Sequence, residues 1–130
     1  MNNPETYDCA IVGGGLGGLC LSIQLAKAGH SVVLFEKEKY PFHKVCGEYI
    51  SNESRNFLTR LGIDFNNLDL PQITQLELST PSGFRLETTL PLGGFGISRY
   101  ILDHKLAELA RDAGVHVKEE TKVERIDFSS

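Results

Sequence analysis

The sequence predicts an α/β fold built on a parallel strand–helix–strand unit, and three observations carry that reading. Residues 7–12 (YDCAIV) form a short apolar run that stops abruptly at Gly13-Gly14-Gly15-Leu16-Gly17-Gly18. Residues 19–28 then show helical spacing, and residues 31–36 (SVVLFE) form a second apolar run. The three pieces fit within about 30 residues, the length of a right-handed crossover between parallel strands.

Each element follows from local chemistry. A run without polar alternation, such as 7–12, suits a strand buried on both faces of a parallel sheet. In the helix at 19–28, Leu21, Leu25 and Ala28 share a stripe, and Gly29 supplies the stop. Residues 31–36 make the second buried strand, and residues 37–48 are a polar connection containing Pro41 and Gly47. Residues 51–61 (SNESRNFLTRL) predict a helix with Phe57, Leu58 and Leu61 inward and Gly62 ending it. Residues 73–79 and 84–90 flank Pro81-Ser82-Gly83 and predict a hairpin. A second glycine stretch, Gly93-Gly94-Phe95-Gly96, leads into Ser98-Arg99. Helical spacing is clearest over 101–113, where Leu102, Leu106, Leu109, Ala110 and Ala113 line up before Gly114. Residues 115–118 and 122–128 read as two further strands.

Composition narrows the function classes. The chain has 130 residues, a formal charge of −4, 41% hydrophobic and 23% charged residues, which suits one globular domain. An acidic balance argues against a dedicated nucleic-acid binder, which needs cations to displace counterions from phosphates. Cys9, Cys20 and Cys46 form no CxxC pair, so a reducing, cytoplasmic setting is expected and a disulfide scaffold is not. Five glycines interrupt the apolar stretch 9–25, and residues 1–8 are polar and acidic, unlike an export signal or a membrane span. His30, His43, His104 and His116 have no metal-ligand spacing, so no metal site is expected.

Gly13-x-Gly15-x-x-Gly18 carries the chemistry. The strand before it, the helix after it and Glu36 at the end of the next strand match a dinucleotide-binding turn of the Rossmann type. Gly13 permits the tight turn, Gly15 lets backbone approach a pyrophosphate, and Gly18 allows close helix–strand contact. The helix N-terminus offers unpaired N–H groups to the phosphates. Glu36 accepts hydrogen bonds from ribose hydroxyls and would repel a 2′-phosphate, which disfavours NADP here and leaves FAD and NAD.

IVGGGLGGLCLSIQLAKAGHSVVLFEKE resembles the start of FAD-dependent oxidoreductases with the glutathione-reductase type of flavin fold. KVCGEYIS at 44–51 resembles the geranylgeranyl-reductase-like branch of the p-hydroxybenzoate hydroxylase superfamily. ISRYILDHKLAELARDAGV at 97–115 resembles that superfamily's arginine-containing segment and its helix. The resemblance runs from Tyr7 to about Phe128. It implies FAD, with Gly13, Gly15 and Gly18 on its diphosphate and Leu16 and Gly17 lending backbone N–H groups. Glu36 would hold the adenosine ribose, and Lys37 would sit beside the adenine. Val45, Cys46 and Gly47 would line the flavin side, Arg99 would reach the diphosphate–ribityl region, and Val123 would present backbone to the adenine edge.

The implied activity is a reductase or monooxygenase acting on a small organic substrate with NAD(P)H electrons; an isoprenoid substrate would be lipophilic. Flavin halogenases belong to the wider superfamily, but they carry a tryptophan near the glycine motif and this chain has none, which ranks halogenation behind the other two. No catalytic residue is assigned. Cys46 reads as a packed thiol or a catalytic one, and Ser51, five places on, excludes a redox dithiol. Arg99 reads as a phosphate ligand or a helix-start cap. Lys37, Lys39 and Lys44 read as solvated lysines or a phosphate-facing cluster. On this resemblance residues 1–130 are the N-terminal part of an FAD-binding domain, and about 72–92 are a hairpin belonging to a substrate domain. The family's later Gly-Asp segment is outside these residues, so weak or absent FAD binding is expected of this stretch alone. The alternatives are a nucleotide-binding fragment without turnover and an NAD-dependent dehydrogenase.

Overall fold

The computed structural model describes residues 5–128; residues 1–4, half of the polar opening segment 1–8, and residues 129–130 lie outside the described residues. In chain order the elements are β1 (Cys9–Val12), α1 (Leu16–Lys27), β2 (Val32–Phe35), β3 (Tyr49–Ser51), a 3-10 turn (Asn52–Ser54), α2 (Arg55–Leu61), β4 (Gln72–Ser79), β5 (Arg85–Gly96), α3 (Arg99–Asp112) and β6 (His116–Lys118). They form two compact units, one of Met1–Lys44 with Arg99–Ser130 and one of Val45–Ser98.

The first unit is a parallel sheet in the order β1-β2-β6, with α1 and α3 packed together. Cys9 to Val12 align with Val32 to Phe35, and Val33 to Phe35 align with His116 to Lys118. β2 is central, so Val32, Val33 and Leu34 are all buried, as an uninterrupted apolar run requires. β1 departs from the expectation of burial on both faces. Ile11 meets α1 at Gly18, whereas Ala10 and Val12 point to the opposite face, and Val12 is 55% exposed. An edge strand with helices on one side has only one face to bury.

α1 starts at Leu16, three residues before the expected Leu19. Its buried stripe is Leu19, Ser22 and Ile23, whereas Leu21 and Ala28 are exposed and Leu25 is half-buried. The contact of Gly18 with β1 decides this, because positions 18, 19, 22 and 23 share one helical face. α3 buries Leu102, Asp103, Leu106, Ala107 and Ala110, close to the expected stripe but with a carboxylate inside it. Gly29, Gly62 and Gly114 follow the three helices at positive φ, as stop residues should.

Residues 122–128 form no strand, against expectation. The chain turns at Glu120 (φ 51) after β6, and Thr121 N–H donates to the Glu36 carbonyl at 2.9 Å. Beyond that bond the segment pairs with no strand among the described residues, and β-propensity alone makes no ladder.

The second unit is an antiparallel sheet in the order β3-β5-β4, with the 3-10 turn against β5 and α2 following that turn. β5 continues past the expected Leu90, through Pro91 and the second glycine stretch, to Gly96. That continuation creates β3, an element the sequence pattern did not signal. A Cβ on Gly94 would fall 2.3 Å from the Tyr49 ring, so glycine there lets β3 lie alongside. Phe95, Leu58, Leu61, Ile63 and Phe65 are buried in this unit, with Phe65 edge-on to Phe95 at 5.2 Å and Arg55 over both rings. The outer hairpin leaves Leu76, Leu78, Phe84 and Leu86 exposed.

Candidate dinucleotide-binding site

The glycine turn between β1 and α1 is fixed by backbone constraints on both sides. Gly13 sits at φ 101, and its N–H continues the ladder to the Phe35 carbonyl at 2.8 Å. A Cβ on Gly18 would lie 2.0 Å from the Gly13 carbonyl oxygen, so only glycine permits this helix–strand approach. Gly14 is held at both ends: its N–H donates to Glu36 Oε2 at 2.8 Å, and its carbonyl accepts the Tyr40 hydroxyl. A Cβ there would land 1.8 Å from the Tyr40 hydroxyl oxygen.

Gly15 is the N-cap of α1 and provides no side-chain cap, and the first turn contains no acidic residue. The helical ladder opens with Leu19 N–H to the Gly15 carbonyl at 2.9 Å. The N–H groups of Leu16, Gly17 and Gly18 therefore have no acceptor within the helix, the arrangement that binds anions. A Cβ on Gly15 would lie 3.9 Å from Lys44 Nζ and 4.0 Å from Arg99 Nη2. Both cations converge on Asp103, one turn into α3 from Arg99. Lys44 Nζ is 2.9 Å from Oδ2, Arg99 Nε donates to Oδ1 at 2.7 Å, and Arg99 Nη2 donates to Oδ2 at 3.0 Å. Asp103 is only 1% exposed. Burial, followed by the Asp103 charge, pushes the Cys20 thiol up, which keeps it protonated and unreactive.

Glu36 stands buried just beyond β2. Besides the bond from Gly14, its Oε1 accepts the Glu38 N–H at 3.0 Å. Each carboxylate oxygen has two acceptor sites, so these two bonds orient the group and leave capacity for hydroxyl donors. Tyr40 closes the turn: its N–H donates to Glu119 Oε1 at 2.8 Å, and Glu119 pairs with Arg111 at 3.0 Å. Burial, then the Glu36, Asp103 and Glu119 charges, push the Tyr40 hydroxyl well above its ordinary value, so it stays a neutral donor to Gly14.

The structure thus brings Gly13, Gly15, Leu16, Gly17, Gly18, Glu36 and Arg99 into one unit around one turn. Lys37 points to solvent and pairs loosely with Glu38 at 3.9 Å. Val123 is half-buried in the unpaired segment, two residues after Thr121. Val45, Cys46 and Gly47 belong to the second unit, where Val45 and Cys46 are exposed and Glu48 N–H approaches Cys46 Sγ at 3.4 Å. Sequence reasoning missed Gly14, Tyr40 and Asp103. Asp103 did leave a signal, a charge within an apolar helical stripe four residues after an arginine. Tyr40 left none, because its role depends on a contact 26 residues away.

The donor set fits a dinucleotide: N–H groups and two cations for a diphosphate, a side-chain-free glycine between them, and an acceptor-only carboxylate for ribose hydroxyls. Residues 11–61 match the NAD(P)-binding Rossmann-like domain family. With the parallel sheet β1-β2-β6, this match shows a Rossmann-like fold. The chain is similar to conditioned medium factor receptor 1 of Dictyostelium discoideum, at 29% identity over 98% of this chain and 28% of that protein. It is also similar to squalene monooxygenase of Candida glabrata, at 30% identity over 95% of this chain and 24% of that protein.

Among solved structures, it superposes on the myxobacterial chondrochloren halogenase with a TM-score of 0.83 at 25% identity, covering 97% of this chain and 31% of that one. A geranylgeranyl bacteriochlorophyll reductase-like protein of Thermoplasma acidophilum gives 0.72 at 27% identity, over 89% and 30%. The chain therefore spans about a quarter of the length of the curated relatives it matches. Among the described residues no helix is long and apolar enough to cross a membrane.

Proposed function

We propose that this chain is the FAD-binding N-terminal part of a flavin-dependent oxidoreductase, either a geranylgeranyl-reductase-like reductase or a monooxygenase, which draws electrons from NAD(P)H. The observation that carries this reading is the pairing of Lys44 and Arg99 at Gly15, over the uncapped start of α1. A diphosphate placed there meets two charge-assisted donors and the positive end of a helix. Glu36, at the end of β2, then faces the ribose, and its charge opposes a 2′-phosphate. Bound flavin supplies hydride and oxygen chemistry, while the chain's own residues bind and orient it. The names of the similar proteins, a monooxygenase and a reductase-like protein among them, support the two activities. Halogenation stands behind them because the chain has no tryptophan.

In this proposal Lys37 lies near the adenine, Val123 offers backbone to its edge, and Val45, Cys46 and Gly47 line the flavin side. The β4–β5 hairpin, about residues 72–92, belongs to a substrate domain that receives a small organic molecule. The unpaired cysteines support a reducing, cytoplasmic setting. The test is to purify the full-length protein, denature it, and identify the released cofactor by absorbance and chromatography. FAD in stoichiometric amount is expected. Retention of a nicotinamide nucleotide without flavin would overturn the proposal in favour of an NAD-dependent dehydrogenase.

A further inference from the structure

Resting on the dinucleotide reading of the glycine turn, we propose that Asp103 is the positioning residue of the phosphate site. It holds Lys44 and Arg99 together at the open side of Gly15, so that cations from two distant parts of the chain meet one diphosphate. Nothing in the glycine motif requires this carboxylate. Asp103 lies in the buried stripe of α3 with Leu102, Leu106 and Ala107, where an unpaired charge would be strongly disfavoured. Both of its oxygens are occupied: Arg99 spans them at 2.7 and 3.0 Å, and Lys44 joins Oδ2 at 2.9 Å.

Lys44 arrives from 59 residues earlier in the chain, at the end of the connection that follows β2. Without a carboxylate between them, two cations so close would repel one another and their long stems would disperse. With it, both tips stand beside the same face of Gly15, 3.9 and 4.0 Å from where its Cβ would lie. A competing effect has the opposite sign, since the Asp103 charge itself repels an anion. Positioning outweighs repulsion only if the two cations lose their aim when Asp103 is neutralised. The sign of the change in phosphate affinity therefore decides the matter.

The experiment titrates the full-length protein, freed of bound cofactor, with ADP and with adenosine, comparing wild type, Asp103→Asn, Lys44→Gln and the double variant. For Asp103→Asn the expected result is ADP binding weakened by about tenfold, the scale of one charge-assisted hydrogen bond, with adenosine binding unchanged. Lys44→Gln weakens ADP binding in the same selective way, and its effect shrinks in the Asp103→Asn background because both act through one cluster.

Equal or tighter ADP binding by folded Asp103→Asn overturns the proposal and leaves the dinucleotide reading intact. Equal losses for ADP and adenosine also overturn it, because they mark general support of the fold. If Asp103→Asn does not fold, Lys44→Gln decides, and wild-type ADP affinity in that variant overturns the proposal. Absence of ADP binding by the wild type overturns the dinucleotide reading and this proposal together.

Discussion

Single atoms around Gly14 and Glu36 decide whether the turn between β1 and α1 can form. Glu36 accepts two backbone N–H groups, so its carboxylate is oriented before any ligand arrives. Glu36→Ala is expected to weaken FAD retention by about 1–3 kcal/mol through lost ribose hydrogen bonds. A flavin fluorescence titration of the full-length protein checks this, and unchanged affinity would show that Glu36 is not the ribose ligand. Gly14 tests the steric side of the same site. Its missing Cβ would overlap the Tyr40 hydroxyl at 1.8 Å, so Gly14→Ala is expected to lower stability by roughly 1–3 kcal/mol as an overpacking change. Removing that hydroxyl relieves the overlap. The destabilisation by Gly14→Ala, measured by urea unfolding, should therefore be smaller in a Tyr40→Phe background than in the wild type. Full additivity of the two changes would show that the Tyr40 hydroxyl does not limit Gly14.

At the scale of elements, α1 and α3 show why a periodic pattern gives a helix before it gives the face. Leu19, Ile23, Leu21 and Leu25 are chemically alike, and helical spacing does not rank Leu21 and Leu25 below the residues that become core. The contact of Gly18 with β1 rotates Leu19 and Ile23 inward. Leu19→Ala is accordingly expected to cost about 2–5 kcal/mol as a buried truncation, whereas Leu21→Ala should stay within about 0.5 kcal/mol as a surface change. Equal losses in urea unfolding would put the wrong face of α1 inward. β5 makes the complementary point. Pro91, Gly93 and Gly94 look like chain breakers, yet they sit in a strand because Gly94 gives β3 the space it needs beside Tyr49. Residues 122–128 fail in the other direction, with an apparent strand pattern and no strand to pair with among the described residues.

For the molecule as a whole, Tyr40 ties the glycine turn to the segment after β6 and to α3 through Glu119 and Arg111. Its hydroxyl is raised above the ordinary 10.0, first by burial and then by the Glu36 charge. The sign follows from linkage: below about pH 10 both folded and unfolded chains keep the proton, and the stability this group contributes is fully present. As pH rises past 10 the unfolded chain releases the proton and the folded chain does not, so stability falls. Tyr40→Phe should flatten that alkaline decline relative to wild type in denaturant unfolding across pH 9 to about 12. Parallel pH profiles would show that the hydroxyl ionises as freely in the folded chain as in the unfolded one.

The sequence by itself determined the βαβ unit, the glycine turn, the acidic residue closing β2 and the helix carrying Arg99. Those features depend on neighbours within a few residues, or on a fixed motif spacing, so one-dimensional order suffices to read them. Only the tertiary structure decided that Gly14 must lack a side chain, that Tyr40 bonds to the glycine turn, and that Lys44 stands beside Arg99 on Asp103. Each of those depends on groups 26 to 59 residues apart being brought within hydrogen-bond distance. A linear pattern carries no information about such approaches until packing of α1 on β1, and of α3 on α1, has set the distances.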